Sequence, residues 1–551
     1  MTSGTMRKAR YQFEYRRAVD QDRPTAAHHQ VVVIGAGLVG LTAAIDLAQR
    51  GIAVLLLDES DRIGEGSRGI SYAKRTLEIF DRLGVAQRCL EKGVIWKVGK
   101  VFQGNDLLYA FDLLKEDGHA MPAFVNLQQY YLEHFLVERA SEIPHLKIRW
   151  LNKVSAIDKR SDDVSLTVET PDGPYGLSSD WVIAADGARS TLRQLLGLDF
   201  PGEMFEDRFL ISDVKMRGDF PTERWFWFDP PFLEGRSALL HKQPDDVWRI
   251  DLHLGADADV EAERSPERIY PRLERMLGHS NFMLEWVSVY TFQCRRMRQF
   301  VHGRVLFAGD AAHQVSPFGG RGANSGIQDA ENLAWKLALI LQNKAPSSLM
   351  DTYHLERSAA ADENITHSTR STDFIAPRSR QELRFRNASL ALARETEFAK
   401  RMVNSGRLST ASTYATVLST PDDDQWNCPT QLGAPLLDAR MTRSKSQPAW
   451  LLQAVGGEET VLHVYDGQNA PEMECKKLIV IGKDLIDDSG FFARRYDTTP
   501  GATYLVRPDQ HLAARWRHLD PSAIEQASRR LRGHSYSEAF LPTEADHAWT
   551  K

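Results

Sequence analysis

The chain of 551 residues carries 68 lysines and arginines against 74 acids, for a net charge of −6, and 42% of its residues are hydrophobic. That bulk can bury a large core in several compact units, and the near-balanced charge excludes the dense basic surface demanded by nucleic acid or an anionic membrane. No apolar stretch approaches the roughly 18 residues of a membrane-spanning helix. The four cysteines, Cys89, Cys294, Cys428 and Cys475, stand far apart with no CxxC or Cys/His cluster, so neither a disulfide framework nor a metal site is expected and a reducing cytoplasm is the expected location.

Residues 1–29 are polar, mixing Arg7, Lys8, Arg10, Arg16 and Arg17 with Glu14, Asp20 and Asp22. They lack the apolar core of a secretory signal and the acid-poor character of a transit peptide, and read as a surface arm. A β-branched run at 30–34 predicts a strand, followed by a glycine turn, a helix over 38–50 and a second strand over 53–57, the opening βαβ unit of a doubly wound sheet. Residues 69–95 have helical spacing, 101–124 shorten into strand-like pieces, 127–140 are helical again, and 147–185 predict several strands. Aromatic and alternating segments between 206 and 295 predict an antiparallel sheet inserted into the nucleotide-binding fold. A strand at 304–308, a glycine-rich loop and a long helix over 324–342 follow, then a charged helical stretch over 351–405, a Ser/Thr- and Asp-rich linker at 409–424, and a small α/β domain over about 430–545.

Three segments carry chemistry. In the first, Gly35, Ala36, Gly37 and Gly40 form a GxGxxG turn between strand and helix: Gly35 for the tight turn, Gly37 for close approach of a pyrophosphate, Gly40 for helix-on-strand packing. The helix N-terminus then offers free N–H groups to phosphates, and Asp58, followed by Glu59, ends the second strand where a carboxylate can bind ribose hydroxyls. The second segment is Asp186-Gly187 directly after a strand. The third is Gly309-Asp310, followed by Pro317, Phe318, Gly319, Gly320 and Arg321 and then by Gly322, Ala323 and Asn324 at the start of a helix. A loop so poor in side chains exposes backbone N–H groups and lets a flat ring lie against it.

Taken in order, these segments resemble the group A flavoprotein monooxygenases, the para-hydroxybenzoate hydroxylase-like aromatic hydroxylases, over residues 30–375. Gln129 resembles the family's glutamine near the flavin side chain, and Arg68 its arginine near the flavin phosphates and the nicotinamide cofactor. Residues 501–509 resemble the closing pattern of the thioredoxin-like domain in members similar to phenol hydroxylase and 3-(3-hydroxyphenyl)propionate hydroxylase, here with a structural or dimerisation role because CxxC is missing. The resemblance implies an α/β fold: a Rossmann-like FAD-binding domain over 30–100, 129–205 and 296–375, a substrate-binding sheet over 101–128 and 206–295, a helical connection and linker over 376–429, and the thioredoxin-like domain over 430–545. It further implies FAD as cofactor, NADH or NADPH as co-substrate, and hydroxylation of a phenolic or aryl-acid ring with O₂ through a flavin C4a-hydroperoxide.

On the substrate side, Trp225, Trp227, Pro317 and Phe318 are expected to offer aromatic or apolar faces, Arg236 or Arg249 to anchor a carboxylate, and His241 or His253 to assist phenol deprotonation. Alternation places Arg249, Asp251 and His253 on one face of their strand. His313 is expected to support the flavin loop. Two rival readings share the fold. A flavin-dependent halogenase is echoed by the Trp-rich stretch at 225–230, although Asp229 breaks the motif and Lys97 and Lys100 lack its context. The other is a non-oxygenating FAD reductase or dehydrogenase.

Overall fold

The computed structural model describes residues 11–534 apart from 65, 67, 219, 234, 404–407, 409, 444–446 and 469–475. Arg7, Lys8, Arg10, Cys475 and the last residues of the predicted C-terminal domain lie outside the described residues. The chain forms two compact units, one from residues 1–117, 121–331 and 358–410, the other from 118–120, 332–357 and 411–551. Among the described residues no helix is long and apolar enough to cross a membrane.

In the first unit the β-branched run becomes the strand Ala27–Ile34, whose Val31, Val32 and Val33 are fully buried, as befits a parallel strand covered on both faces. It pairs in parallel with Val54–Leu57 on one side and Tyr175–Ala184 on the other. The sheet runs Val301–His302, Val305–Phe307, Tyr175–Ala184, Ala27–Ile34, Val54–Leu57, Leu146–Arg149. Because Val305–Phe307 is also parallel to Tyr175–Ala184, the carboxyl ends of the three central strands lie along one edge. Gly35, Asp186 and Gly309 follow those ends directly, at the edge where open α/β sheets bind ligands.

The second sheet has the order His313–Gln314, Met283–Arg296, Gly202–Lys215, Val247–Gly255, Ser237–Lys242, Arg224–Phe228, Val98–Gln103, Asp106–Asp112. It is antiparallel as expected except at one join, where Arg224–Phe228 runs parallel to Val98–Gln103, a hairpin contributed from earlier in the chain. Alternation separates its faces. Leu210, Ala238, Leu240, Trp248, Ile250 and Leu252 pack with Ile269 and Leu273 of the helix Pro266–Leu277. Phe209, Phe228 and Leu239 point the other way and pack with Phe318.

Two stretches depart from the sequence reading. Residues 69–95 open with a short strand, Ser71–Ala73, before the helices Lys74–Leu83 and Ala86–Lys92. The described part of the N-terminal arm is a strap rather than a free segment: Tyr11 stacks on His134 at 3.9 Å and Phe13 on Trp150 at 4.2 Å. The buried Asp20 carboxylate accepts hydrogen bonds from Arg149 and His29. Aromatic residues spaced among charges gave no periodic signal that would have revealed this docking.

The second unit contains a four-stranded sheet in the order Lys477–Ile481, Thr460–Val464, Thr503–Val506, Leu512–Trp516, with the first pair parallel and the others antiparallel. Its core includes a buried ionic network. Glu356 accepts from Arg507 at 2.7 and 2.9 Å and from Lys336 at 2.7 Å, while Asp509 accepts from Arg507 and from the Trp335 indole.

Candidate active site

The three glycine- and aspartate-bearing segments meet through backbone contacts that only glycine permits. Gly35 has φ +104°, and a Cβ there would stand 2.5 Å from the Ala185 carbonyl oxygen; one on Gly40 would collide with the Gly35 carbonyl. Gly37 caps the helix Leu38–Gln49 with nothing within 4 Å of the place its Cβ would take, so the helix N-terminus presents bare backbone to open space. Val39, which the sequence reading passed over, joins the first segment to the third. Its Cγ2 methyl would lie 2.7 Å from a Cβ on Gly309 and 2.7 Å from one on Gly326. A valine of the fingerprint helix thus occupies the space that side chains on Gly309, just after the third strand, and Gly326, within the helix Gly322–Leu341, would need.

Asp58 and Asp186 each brace a loop. Asp58 accepts from Ala36 N–H at 2.6 Å and Ser60 N–H at 2.8 Å, and burial pushes its carboxyl up against the pull of those donors. Glu59 is exposed, 3.6 Å from Lys153 Nζ. Asp186 Oδ2 accepts from Leu192 N–H at 3.0 Å; its Oδ1 is buried with no hydrogen-bond partner among the described residues, and burial raises this carboxyl too. Arg193 ties the second segment to the third by donating to the Ala188 and Ala311 carbonyls. Asp310 is exposed on one side with protein packed behind it, and that desolvation raises its carboxyl while His313 and Arg68 oppose the shift. The partner of His313 is Asp329, which accepts from His313 Nε2 at 2.6 Å and from Gly309 N–H at 2.9 Å. His313 therefore does support the loop, through an acid on the following helix, Gly322–Leu341, rather than through Asp310.

The loop before Ser71–Ala73 is held from two sides. Gln129 accepts from Gly69 N–H at 2.9 Å and donates to Glu133, which also accepts from Gly64 N–H at 3.0 Å. This carries Arg68, exposed, over the second sheet, where its carbonyl accepts from Arg249 at 3.1 Å. Asn324 is fully buried: its Oδ1 accepts from Ala73 N–H and Thr76, and its amide donates to the Ser71 and Gly320 carbonyls. The Asn324 side chain is thus spent on positioning, and what it leaves to a ligand is backbone. Gly322 opens the helix, and Ala323 Cβ approaches to 3.9 Å of where a Cβ on Gly69 would stand.

The substrate face differs from expectation in its aromatic residues. Trp225 and Trp227 belong to the face packed on the helix Pro266–Leu277 and contact Phe102. Their neighbours Phe226 and Phe228, one pleat over, line a cavity of about 580 Å³ together with Arg224, Phe318, Gly319 and Phe374. The run of four aromatics made both faces equally plausible from sequence, and strand register decided between them. Arg236 lies against Gly255 and is not among the cavity's lining. Pro317 is exposed at the loop tip, and Phe318 is buried edge-on against Phe209 and Phe292.

Arg249 is buried and bonded to Asp213, His253 Nε2 donates to the Asp207 carboxylate at 2.7 Å and its ring stacks on Phe209, and His241 is buried, its imidazole pushed well below its ordinary range by burial and by Arg224 and Arg249. Neither histidine is among the residues that line the cavity. Asp251, flagged only for its face, has a buried Oδ1 without a hydrogen-bond partner among the described residues. Burial lifts its carboxyl to about 6, with Arg249 and Arg224 pulling it down and Asp213 pushing it up. Burial likewise lowers Arg224 to about 10, opposed by Asp251.

The arrangement fits a long dinucleotide carrying a flat ring: bare backbone at Gly37 for a pyrophosphate, an unbonded carboxylate oxygen at Asp186, and a glycine loop running into a helix N-terminus. Comparison with known proteins agrees. The chain is 32% identical over 363 residues to a flavin-dependent monooxygenase of Mycobacteroides abscessus, covering 62% of this chain and 73% of that one. It is 31% identical over 340 residues to para-nitrophenol 4-monooxygenase of Pseudomonas sp., covering 59% and 82%. In fold it is similar to the crystal structure of the flavin-dependent monooxygenase PieE in complex with FAD and substrate, with a TM-score of 0.78, 22% identity, and 92% and 99% of the two chains covered. The family model for the FAD binding domain matches residues 28–368, more than half of the chain, and with the three converging glycine segments it establishes that this protein belongs to that FAD-binding family.

Proposed function

We propose that the protein is an FAD-dependent monooxygenase that uses NADH or NADPH and O₂ to hydroxylate a phenolic aromatic ring. The observation that carries this is the placement of a cavity lined by Phe226, Phe228 and Phe318 directly beside Gly319 of the flavin loop. FAD, when bound and reduced, supplies the electrons that activate O₂. The chain's own residues do the rest. Gly35–Gly40 and Asp58 hold the adenosine and pyrophosphate half, and Gln129 and Glu133 fix the loop that carries Arg68. Phe318 and its aromatic neighbours would keep water from a bound ring, and the first turn of Gly322–Leu341 would offer N–H groups that favour negative charge there.

The halogenase reading loses its support. The tryptophan-rich strand turns its indoles away from the flavin loop, and Lys97 and Lys100 are paired with Asp112 and Glu223. Against a non-oxygenating reductase, the test is stoichiometry: a phenol panel should stimulate NAD(P)H oxidation with equal O₂ uptake and a hydroxylated product. Oxidation of NAD(P)H without oxygen in any product would refute hydroxylation. For the second unit we retain a thioredoxin-like reading, supported by its sheet order and by the C-terminal helix Pro521–Leu531. The missing CxxC leaves it a structural or homodimerising part, and the cysteine usage supports a cytoplasmic setting.

A further inference from the structure

Of the expected proton acceptors, His253 is paired with Asp207 and His241 is buried beside Arg224 and Arg249, which disfavour its protonation, yet a phenol hydroxylase gains from a base that ionises its substrate and makes the ring electron-rich. The sheet face shows where such a base can stand. At one end of the strand Val247–Gly255, Arg249 donates to the Arg68 carbonyl, and Trp286, whose indole abuts Gly66, lies beside it. At the other end, His253 stacks on Phe209 at 4.8 Å and Phe209 packs against Phe318 at 5.0 Å. One end is thus covered by the Arg68 loop and the other by the Phe318 loop, the two loops assigned to the flavin. Asp251 lies midway between Arg249 and His253 on the same face and is partly exposed. Its cross-strand neighbours there are Leu239 and Ile211. Leu239 in turn pairs with Phe226 of the cavity wall, and Arg224, also on that wall, is close enough to Asp251 to interact electrostatically.

We infer that Asp251 is the catalytic residue that takes the proton from the substrate's phenolic hydroxyl, with Arg224 stabilising the phenolate. This rests on the hydroxylase reading above. In the step the phenolic O–H bond breaks, its electron pair stays on the substrate oxygen, and the proton bonds to the Asp251 carboxylate. The charged groups that act on that carboxylate are Arg249 on its own strand, Asp213 on Gly202–Lys215 and Arg224 on Arg224–Phe228, and the titratable His253 on its own strand and His241 on Ser237–Lys242 share its sheet face. An unpaired carboxylate oxygen in a walled site gains by becoming neutral, so the environment favours proton uptake over a fixed ion pair.

The test compares FAD-loaded wild type with Asp251→Asn on two sets of probes, ordinary phenols that ionise near about 10 like tyrosine, and their nitro-substituted counterparts, including 4-nitrophenol, already ionised in mildly alkaline buffer. The Asn variant should lose roughly 10²- to 10⁴-fold in kcat/KM on ordinary phenols and less than about tenfold on the ionised ones. The acidic limb of the wild-type pH profile should also vanish. Infrared titration of the holoenzyme should show a carboxylic carbonyl band that fades as the rate rises and is missing from Asp251→Asn. If the Asn variant fails to hold FAD, Asp251→Glu carries the test by keeping the limb at a shifted midpoint. Equal losses on both probe sets, or a limb unchanged in the variants, would overturn the assignment to Asp251 while leaving the hydroxylase reading intact. A wild type that transfers oxygen to no phenol would overturn both.

Discussion

Gly326→Ala adds one methyl group where the fingerprint helix meets the third flavin segment. The new Cβ would stand 2.7 Å from Val39 Cγ2 and 3.1 Å from Gly309 Cα. Carbon atoms rest at roughly 3.5–4.0 Å, so about 1 Å of separation has to be found. Val39 has little freedom to supply it, because a helical valine has one strongly preferred rotamer. The helix or the Gly309 turn must shift instead, at the usual overpacking cost of about 1–3 kcal/mol. Both belong to the FAD site proposed above, so if that cost falls on the bound form the Kd for FAD rises about 5- to 150-fold. Val39→Ala alone should cost on the order of 1–3 kcal/mol by leaving a void, but in the double variant the alanine makes room for the new methyl. Flavin fluorescence titration of the apoprotein, with urea unfolding in parallel, should then give a favourable coupling of about 1–2 kcal/mol between the two substitutions. Strict additivity, or wild-type FAD affinity in Gly326→Ala, would show that Val39 does not hold the site together.

Gly37→Val should leave stability within about 0.5 kcal/mol, since nothing lies near its Cβ position, yet abolish FAD retention; flavin absorbance of the purified variant checks this. Phe226→Ala should raise KM for the aromatic substrate about tenfold or more by removing buried apolar contact. Trp225→Ala should lower the urea midpoint with KM within about twofold, and the reverse pattern would mean the sheet faces are misassigned. Glu356→Gln should destabilise the second unit by about 3–5 kcal/mol, because Arg507 and Lys336 are left short of charge in a dry core. Burial alone would raise the Glu356 carboxyl, but Arg507 and Lys336 together hold it well below the glutamate range. Its contribution is therefore complete above the ordinary glutamate pKa and is lost as pH falls through the folded value, and urea titrations at stepped pH should show that loss in wild type and not in the variant.

The flavin half of the site was legible because its requirements are local. A turn at φ +104°, a helix start and a strand end leave marks within a few residues of one another, which is why Gly35, Asp58, Asp186 and Gly309 could be singled out. The residues missed there act at long range. Nothing near Val39 announces that its methyl will meet Gly326, and Asp329 looks like one more helical acid until His313 and Gly309 reach it. Glu133 could have been found: it stands one helical turn beyond Gln129, where two side chains can share a loop. The substrate half was poorly legible for a different reason. In Arg224–Phe228 every side chain but the first is aromatic, so the period of two that assigns faces carries no contrast, and only pairing with Leu239 and Val101 separates Phe226 from Trp225.

The strand order of the first sheet also sets a timetable. A ribosome releases Ala27–Ile34 and its glycine turn early, but the parallel neighbour Tyr175–Ala184 arrives much later, and Val305–Phe307 later still. Until the last of these emerges, the carboxyl edge is incomplete and Val39 has no glycine to lie against. Contacts of such long sequence separation close slowly and leave apolar strand faces bare in the interval. An edge built from three strand ends so distant in sequence is complete only once the last of them has joined the sheet.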